Sequence, residues 1–397
     1  MSVTRTRLSD LIVIKNGKNH QALSKGPYPV YGSGGVMRYV SEYLYDGEAV
    51  LLPRKGTLSN IQYAKGKFWT VDTTYYAIVN KDKADTYFLY YLLNHLDLSG
   101  LDSGTSIPSM TARTYYAIKI DLPDLTTQKR IANILSVYDD LIEANNRRIE
   151  LLEQTAQELY KEWFVRFRFP GYENVKFEDG LPENWSYVRF GKAIEIIDGD
   201  RGVNYPKQEE FYPKGDCLFL NAGNVTAKGF DFSSCSYITK EKDDILRKGK
   251  LQHGDVVLTT RGTVGNVAFY NETMTFSEMR INSGMVILRN LGAVSTEYIY
   301  TALRHEYLQK LMTLYASGSA QPQLPIKDMK RMKIIKPDAK TMERFTEMGA
   351  DIYNQISLLI MKNQTLAKQR DMLLPRLMSG KLEVQSGGYY QNFAKSE

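Results

Sequence analysis

Two stretches of this 397-residue chain repeat one another. SGTSIPSMTARTYYAIKIDLPDLTTQKR starts at Ser103, and SGSAQPQLPIKDMKRMKIIKPDAKTMER starts at Ser317. At a constant spacing of 214 residues, Ser103 meets Ser317, Gly104 meets Gly318 and Pro108 meets Pro322. Lys119, Ile120, Pro123 and Arg130 likewise meet Lys333, Ile334, Pro337 and Arg344. A repeat this long constrains the fold more than any single motif, because it requires one unit built twice. Weaker echoes lie upstream in the same order. Ile14 and Gly17 match Ile196 and Gly199, 182 residues on. GEAVLLPRKG from Gly47 resembles GDVVLTTRG from Gly254, which pairs Leu51 with Leu258 and Arg54 with Arg261 at a spacing of 207.

Each repeat ends in a long helix. From Thr126 to about Arg168 there is no Gly and no Pro. Residues Ile131, Leu135, Tyr138, Ile142, Asn145, Ile149, Leu152, Ala156, Leu159 and Trp163 recur in alternating steps of four and three. That is a heptad seam with one polar member. The equivalent positions in the second copy are Phe345, Gly349, Ile352, Ile356, Leu359, Asn363, Leu366, Arg370, Leu373 and Leu377. Pro375 predicts a helix end near Leu374, since proline cannot continue the hydrogen-bond ladder. A heptad stripe is a packing surface, so these helices read as scaffold. At 1.5 Å per residue they are rods of roughly 60–65 Å. If the seams pack antiparallel, facing positions sum to 508, so Asn145 falls opposite Asn363. An amide pair in an apolar seam fixes register, because sliding would leave it unpaired.

The segments between are rich in Tyr, Val, Ile, Thr and Gly. Short apolar runs at Ala49–Leu52, Ile61–Ala64, Thr74–Val79, Asp255–Thr259 and Val264–Phe269 predict strands. Tyr87–Leu96 and Thr296–Leu314 predict helices. The expected class is α+β: two mixed α/β domains separated by two long antiparallel coiled-coil helices, with pseudo-twofold repetition. The expected segments are 1–125 (first domain), 126–170 (central helix), 171–337 (second domain), 338–380 (C-terminal helix) and 381–397 (flexible tail).

Composition narrows the function. Lys and Arg number 51 against 45 Asp and Glu, a mild basic excess that permits a nucleic-acid partner without requiring one. Two cysteines, Cys217 and Cys235, exclude a disulfide scaffold and a multi-cysteine zinc site. The four histidines are scattered. The sequence holds no GxxxxGK, GxGxxG, HExxH or GxSxG, and no Asn-Pro-Pro-aromatic tetrapeptide. Each absence points away from an enzyme. No run approaches the roughly 20 apolar residues that span a bilayer. The apolar run Leu11–Ile14 is too short for a signal-peptide core, so the expectation is a cytoplasmic chain.

The run TTQKRIANILSVYDDLIEANNRRIELLEQTAQELYKEWFVRFRFPG, followed by LPENW at Leu181–Trp185, closely resembles the central region of specificity subunits of type I restriction-modification systems. NQTLAKQRDMLLPRLMSGKL resembles that family's second shared region. The likeness is specific in the helices and in LPENW, and loose between them. It implies target recognition domains that differ with the DNA sequence read. It implies a non-catalytic subunit that binds a bipartite, asymmetric site on double-stranded DNA. It also implies two modification subunits that methylate adenine with S-adenosylmethionine, and two restriction subunits that use ATP and Mg. None of these cofactors is expected on this chain. The N-terminus MSVTRTRLSDL has no LPxxW lead, so a shorter first domain is expected. Two other classes remain open. A stand-alone nuclease or methyltransferase is disfavoured by the missing motifs. A DNA-binding coiled-coil adaptor without restriction-modification partners is the alternative.

Candidate DNA contacts follow from chemistry. LLPRKGT (Leu51–Thr57) and LTTRGT (Leu258–Thr263) each place an Arg after a strand, beside Gly and Thr. Arg reads guanine through two hydrogen bonds, Gly allows close approach, and Thr can meet a phosphate or a base. The candidates are Arg54, Lys55, Thr57, Arg261 and Thr263. A salt bridge at the strand end would explain the Arg equally well. Tyr31, Ser33 and Gly34 in YGSGG form either a loop against the duplex or a hairpin turn. Lys327, Lys330 and Arg331, with Lys333 and Lys336, form either a phosphate-contacting patch or a solvated face. RFRF (Arg166–Phe169) at a helix end reads as packing rather than DNA contact. Scaffold and partner positions are Tyr138, Ile142, Asn145, Ile149, Leu152, Leu159 and Trp163. In the second helix they are Ile352, Ile356, Leu359, Asn363, Leu366 and Leu373.

Overall fold

A computed structural model describes residues 3–101, 108–276, 278–318 and 322–382. Ser103 and Gly104 of the repeat, and the tail from 383, lie outside the described residues. Two compact units emerge. One comprises Met1–Leu141 with Leu366–Glu397, the other Ile142–Thr365. The expected segmentation made each long helix a separate spacer. Instead the boundary between units falls within both helices, because each helix half contributes its apolar face to a unit's core.

In the first unit a four-stranded antiparallel sheet runs in the order Ile12–Asn16, Thr74–Val79, Ala49–Pro53, Gln62–Ala64. The second unit has Ile194–Asp198, Met285–Asn290, Asp255–Thr259, Val267–Tyr270, again antiparallel throughout. Register agrees as well as order. Ile12 pairs with Val79 and Ile194 with Asn290. Val50 pairs with Ala77 and Val256 with Leu288. A smaller sheet accompanies each. Lys25–Gly32 lies between antiparallel Gly35–Val40 and parallel Lys67–Thr70. Cys217–Leu220 lies between antiparallel Tyr237–Ile238 and parallel Met279–Ile281. A two-stranded clasp adds Val3–Arg7 to Lys119–Pro123 in one unit, and Ser186–Arg189 to Lys333–Lys336 in the other.

The registers correct one sequence pairing. Ala49–Pro53 and Asp255–Thr259 occupy the same place, 206 residues apart. Leu51 therefore corresponds to Val257, not Leu258. Arg54 corresponds to Thr260, and Lys55 corresponds to Arg261. The shared Arg letters lie one residue out of step with the ladder. The ladder decides, since a one-residue slip turns every side chain to the other face.

The long helices span Leu125–Tyr160 and Ala339–Met378, with a π-helical turn at Lys161–Val165 after the first. Both start the same way. The Asp124 carboxylate accepts from the Thr127 N–H (2.9 Å) and hydroxyl (2.7 Å). Asp338 accepts from Thr341 likewise, at 3.0 and 2.6 Å. Acceptors there satisfy helix N–H groups that have no partner within the helix. Asp338 also receives the Trp185 indole N–H at 3.0 Å, which anchors LPENW. RFRF packs as expected: buried Phe169 stacks on Trp185 at 4.9 Å.

Pro375 does not end the second helix. Its ring is exposed, whereas Leu377 is buried, and Leu373, Leu374 and Met378 pack on the same first-unit core. That packing offsets the lost hydrogen bond, and Gly380 at φ 70° ends the helix. The expected single helix Thr296–Leu314 is two, Thr296–Arg304 and Glu306–Tyr315. His305 is extended between them, and its Nδ1 accepts the Tyr307 N–H at 3.4 Å.

The seam's exceptions each have a local cause. Within the second unit Asn145, only 6% exposed, donates to Asn363 Oδ1 at 2.7 Å, while Asn363 donates to Asn146 at 2.9 Å. Trp163 meets Phe345 edge to face at 6.0 Å, on the same sum of 508. A side chain on Gly349 would meet Glu297 Cβ at 3.0 Å, so the crossing helix requires a small residue there. Within the first unit Arg370 pairs with Asp139, which also accepts from Tyr91 and from Tyr87 (2.7 Å).

Candidate nucleic-acid interface

Three loop segments and one returning segment meet at one end of each four-stranded sheet. In the first unit they are Gly17, Arg54–Thr57, Val71–Thr73 and Pro108–Met110. In the second they are Gly199, Arg261–Thr263, Asn282–Gly284 and Pro322–Leu324. The backbone ties are the same in both. Arg54 and Lys55 N–H groups donate to Thr73 O, at 2.8 and 3.3 Å. Thr260 and Arg261 donate to Gly284 O, at 2.8 and 3.2 Å. Gly56 donates to Pro108 O at 3.0 Å, and Gly262 to Pro322 O at 3.2 Å. Met110 donates to Arg54 O, and Leu324 to Thr260 O. These ties give the repeated prolines a role: their carbonyls hold the glycines of the RKG and RG turns.

Gly17 and Gly199 are the residues that sequence reasoning undervalued. A Cβ on Gly17 would lie 1.9 Å from Val71 O, and one on Gly199 would lie 2.2 Å from Asn282 O. Both turns therefore need glycine to pass the neighbouring loop segment, Val71–Thr73 or Asn282–Gly284. The shared spacing of 182 was the available signal.

On this common frame the side chains differ. In the first unit Lys55 and Thr57 are exposed. Arg54 is exposed too, and its guanidinium reaches Asp72 O at 3.4 Å and lies 5.9 Å from the Tyr75 ring centre. YGSGG is a hairpin: Gly32 pairs with Gly35, which leaves Ser33–Gly34 as the turn. That turn is brought to the same place, since Asn60 donates to Ser33 O (2.7 Å) and Gln62 to Gly32 O (2.8 Å). The Tyr31 ring packs edge-on against Phe68 at 6.0 Å. In the second unit Thr263 is exposed, and Arg261 Nε is buried without a hydrogen-bond partner. Among the described residues neither Arg54 nor Arg261 forms an ion pair. The strand-end salt bridge therefore does not account for them.

Lys327 lies on the short helix Ile326–Met329, which begins just after Leu324 and Pro325, and Lys330 and Arg331 follow that helix. All three are exposed. Arg331 is 3.7 Å from Asp328, and the Lys330 stem covers Gly191. Of the scaffold positions, Ile149, Trp163, Ile356 and Leu359 are buried in the second-unit core, with Leu152, Leu159 and Ile352 packed against it. Leu373 packs on the first-unit core, while Tyr138, Ile142 and Leu366 are half-buried. Burial pushes the Cys217 thiol up to about 12, so it stays protonated. Among the described residues no group of three or more His, Cys, Asp or Glu is placed to hold a metal ion. No described helix is long and apolar enough to cross a membrane.

The family model described as the type I restriction modification DNA specificity domain matches residues 3–154 and again 182–365. The chain belongs to that family. The two matches contain the two copies of the loop cluster. Similarity to individual members of the DNA specificity family is spread along the chain. The MjaIX specificity subunit of Methanocaldococcus jannaschii is 26% identical over 344 residues, covering 85% of this chain and 78% of that protein. The MjaVIII specificity subunit of the same organism is 27% identical over 314 residues, covering 77% and 72%. The S subunit of the type I system of M. genitalium, a solved structure, superposes with a TM-score of 0.57 at 15% identity, covering 95% of this chain and 96% of that one. This last likeness concerns the fold.

Proposed function

We propose that this chain is the DNA sequence-specificity subunit of a type I restriction-modification complex. It binds a bipartite, asymmetric site on double-stranded DNA, one half-site per recognition domain. It scaffolds two modification subunits and, in an assembly that cleaves, two restriction subunits. It contributes no catalytic group and binds no cofactor; S-adenosylmethionine, ATP and Mg belong to the partners. The complex works in the cytoplasm.

One observation carries this reading: the same backbone frame occurs twice and presents different side chains. An identical frame suits docking on the regular DNA backbone, and variable side chains suit reading different base edges. Lys55 and Arg261, equivalent in place, differ in the hydrogen bonds they can offer a base pair.

The net charge of +6 is small for a two-part footprint. Modification subunits must then add phosphate contacts, and each contact adds salt sensitivity. Footprinting of the chain alone should give weak protection. With modification subunits it should give two protected blocks that fade between roughly 50 and 200 mM salt. Tight protection by the chain alone, unchanged over that range, would contradict the proposal.

A further inference from the structure

Val203 is the most exposed large apolar side chain among the described residues, at 99%. It lies in the loop that leaves the sheet at Gly199, in the second unit's cluster. The loop is held from both sides. Buried Asp200 accepts the N–H groups of Gly202 (2.8 Å) and Arg247 (2.8 Å). The Tyr205 N–H closes a turn on Gly202 O at 3.0 Å, with Val203 in its outer half. Arg201 donates to Asp198 (2.9 Å) and to Ser283 O (3.3 Å), in the segment that also receives the Arg261 N–H. A held loop thus presents an isopropyl group outward, two residues from Arg201, with the exposed Arg247 guanidinium against Gly202. Cations suit phosphates, and an apolar tip on the same loop suits a groove. The apolar group that distinguishes a base pair in the major groove is the C5-methyl of thymine.

We propose that Val203 reads a thymine methyl group in the half-site met by the second recognition domain. This rests on the DNA-reading role proposed above. The first domain has no such residue at this place, since the spacing of 182 that relates Gly17 to Gly199 sets Gln21 opposite Val203.

The test uses the full chain assembled with its modification subunits, on duplexes carrying the motif that the assembly methylates. Each thymine of that half-site is replaced in turn by uracil, which removes only the methyl group. Wild type should lose affinity severalfold at one position. Val203→Ala should bind the thymine and uracil duplexes alike at that position, and match wild type on uracil. Val203→Thr, which keeps nearly the same volume but puts a hydroxyl in place of one methyl, should also lose much of the thymine preference, which separates lost apolar contact from lost volume. Three results would overturn the proposal. One is the absence of any uracil position whose effect depends on residue 203. The second is equal weakening on every duplex. The third is loss of the modification subunits from the Val203→Ala assembly, which would mark a protein-docking residue. Failure of wild type to distinguish the motif from a scrambled duplex is a separate result, and would remove the DNA-reading role itself.

Discussion

Replacing Arg280 with methionine should destabilise the second recognition domain by about 3–5 kcal/mol, the usual effect of removing one partner from a buried ion pair. Arg280 is 6% exposed and Asp243 3%. The guanidinium engages the Asp243 carboxylate through Nε, and donates to the carbonyls of Asp243 (2.8 Å), Leu246 (3.0 Å) and Lys248 (2.8 Å). It therefore ties strand Met279–Ile281 to the segment that carries Arg247 and Lys248. Methionine fills similar volume but leaves the Asp243 carboxylate to Lys250 and takes the guanidinium donors away from three carbonyls. Burial by itself would raise the Asp243 carboxyl; the hydrogen bonds from Lys250 and Arg280 outweigh it and hold the group below its usual range. A carboxyl lowered by folding stabilises at neutral pH, and that contribution is lost as pH falls through its folded value. Hydrogen exchange followed by mass spectrometry checks this. Amides of 217–220 and 279–287 should exchange much faster in the variant, with 49–53 and 74–79 unchanged. Unchanged protection in 217–220 would show that the pair does not brace the domain. Asp243→Leu combined with Arg280→Met should recover part of the loss, since no buried charge then remains.

Arg261→Ala and Lys55→Ala should each relax sequence preference in a different half-site. A side chain that reads guanine is worth about 1–3 kcal/mol of discrimination. At 1.4 kcal/mol per tenfold, methylation should lose roughly tenfold to a hundredfold of its preference at one base pair. Arg54→Ala should act on the same half-site as Lys55→Ala and more weakly, because Arg54 is already held by Asp72 O and Tyr75. Methylation rates on duplexes varied one position at a time decide the matter. Equal loss on all sequences would mark a phosphate contact, and no loss would remove the residue from the interface.

The long helices were legible because a seam stepping by four and three, free of Gly and Pro, has few other solutions. Their antiparallel register was legible too, since two asparagines falling on one sum leave little choice. The strand order was not. Ile12 pairs with Val79, far along the chain, and one sequence carries no record of such pairings. The repeat showed that two units share a fold without showing which fold. Letters also misled at Arg54 and Arg261, where the ladder places Lys55 opposite Arg261. Pro375 and His305 show the limits of local signals. Burial of Leu377 carries a helix past a proline, and His305 breaks a helix with neither Gly nor Pro nearby. The candidate site was legible as blocks of residues. Their convergence depends on Gly17, Gly199, Pro108 and Pro322, whose roles are contacts made across the sheet end.

Two recognition domains of one fold should read two different DNA half-sites. Single-molecule sequencing of methylated adenines tests it most directly, in a strain carrying this chain with its modification subunits and in one from which the chain is deleted. The expected result is one motif of two unlike half-sites with a fixed gap between them, lost entirely on deletion. A continuous or palindromic motif, or methylation that survives the deletion, would contradict this division of reading between the two domains.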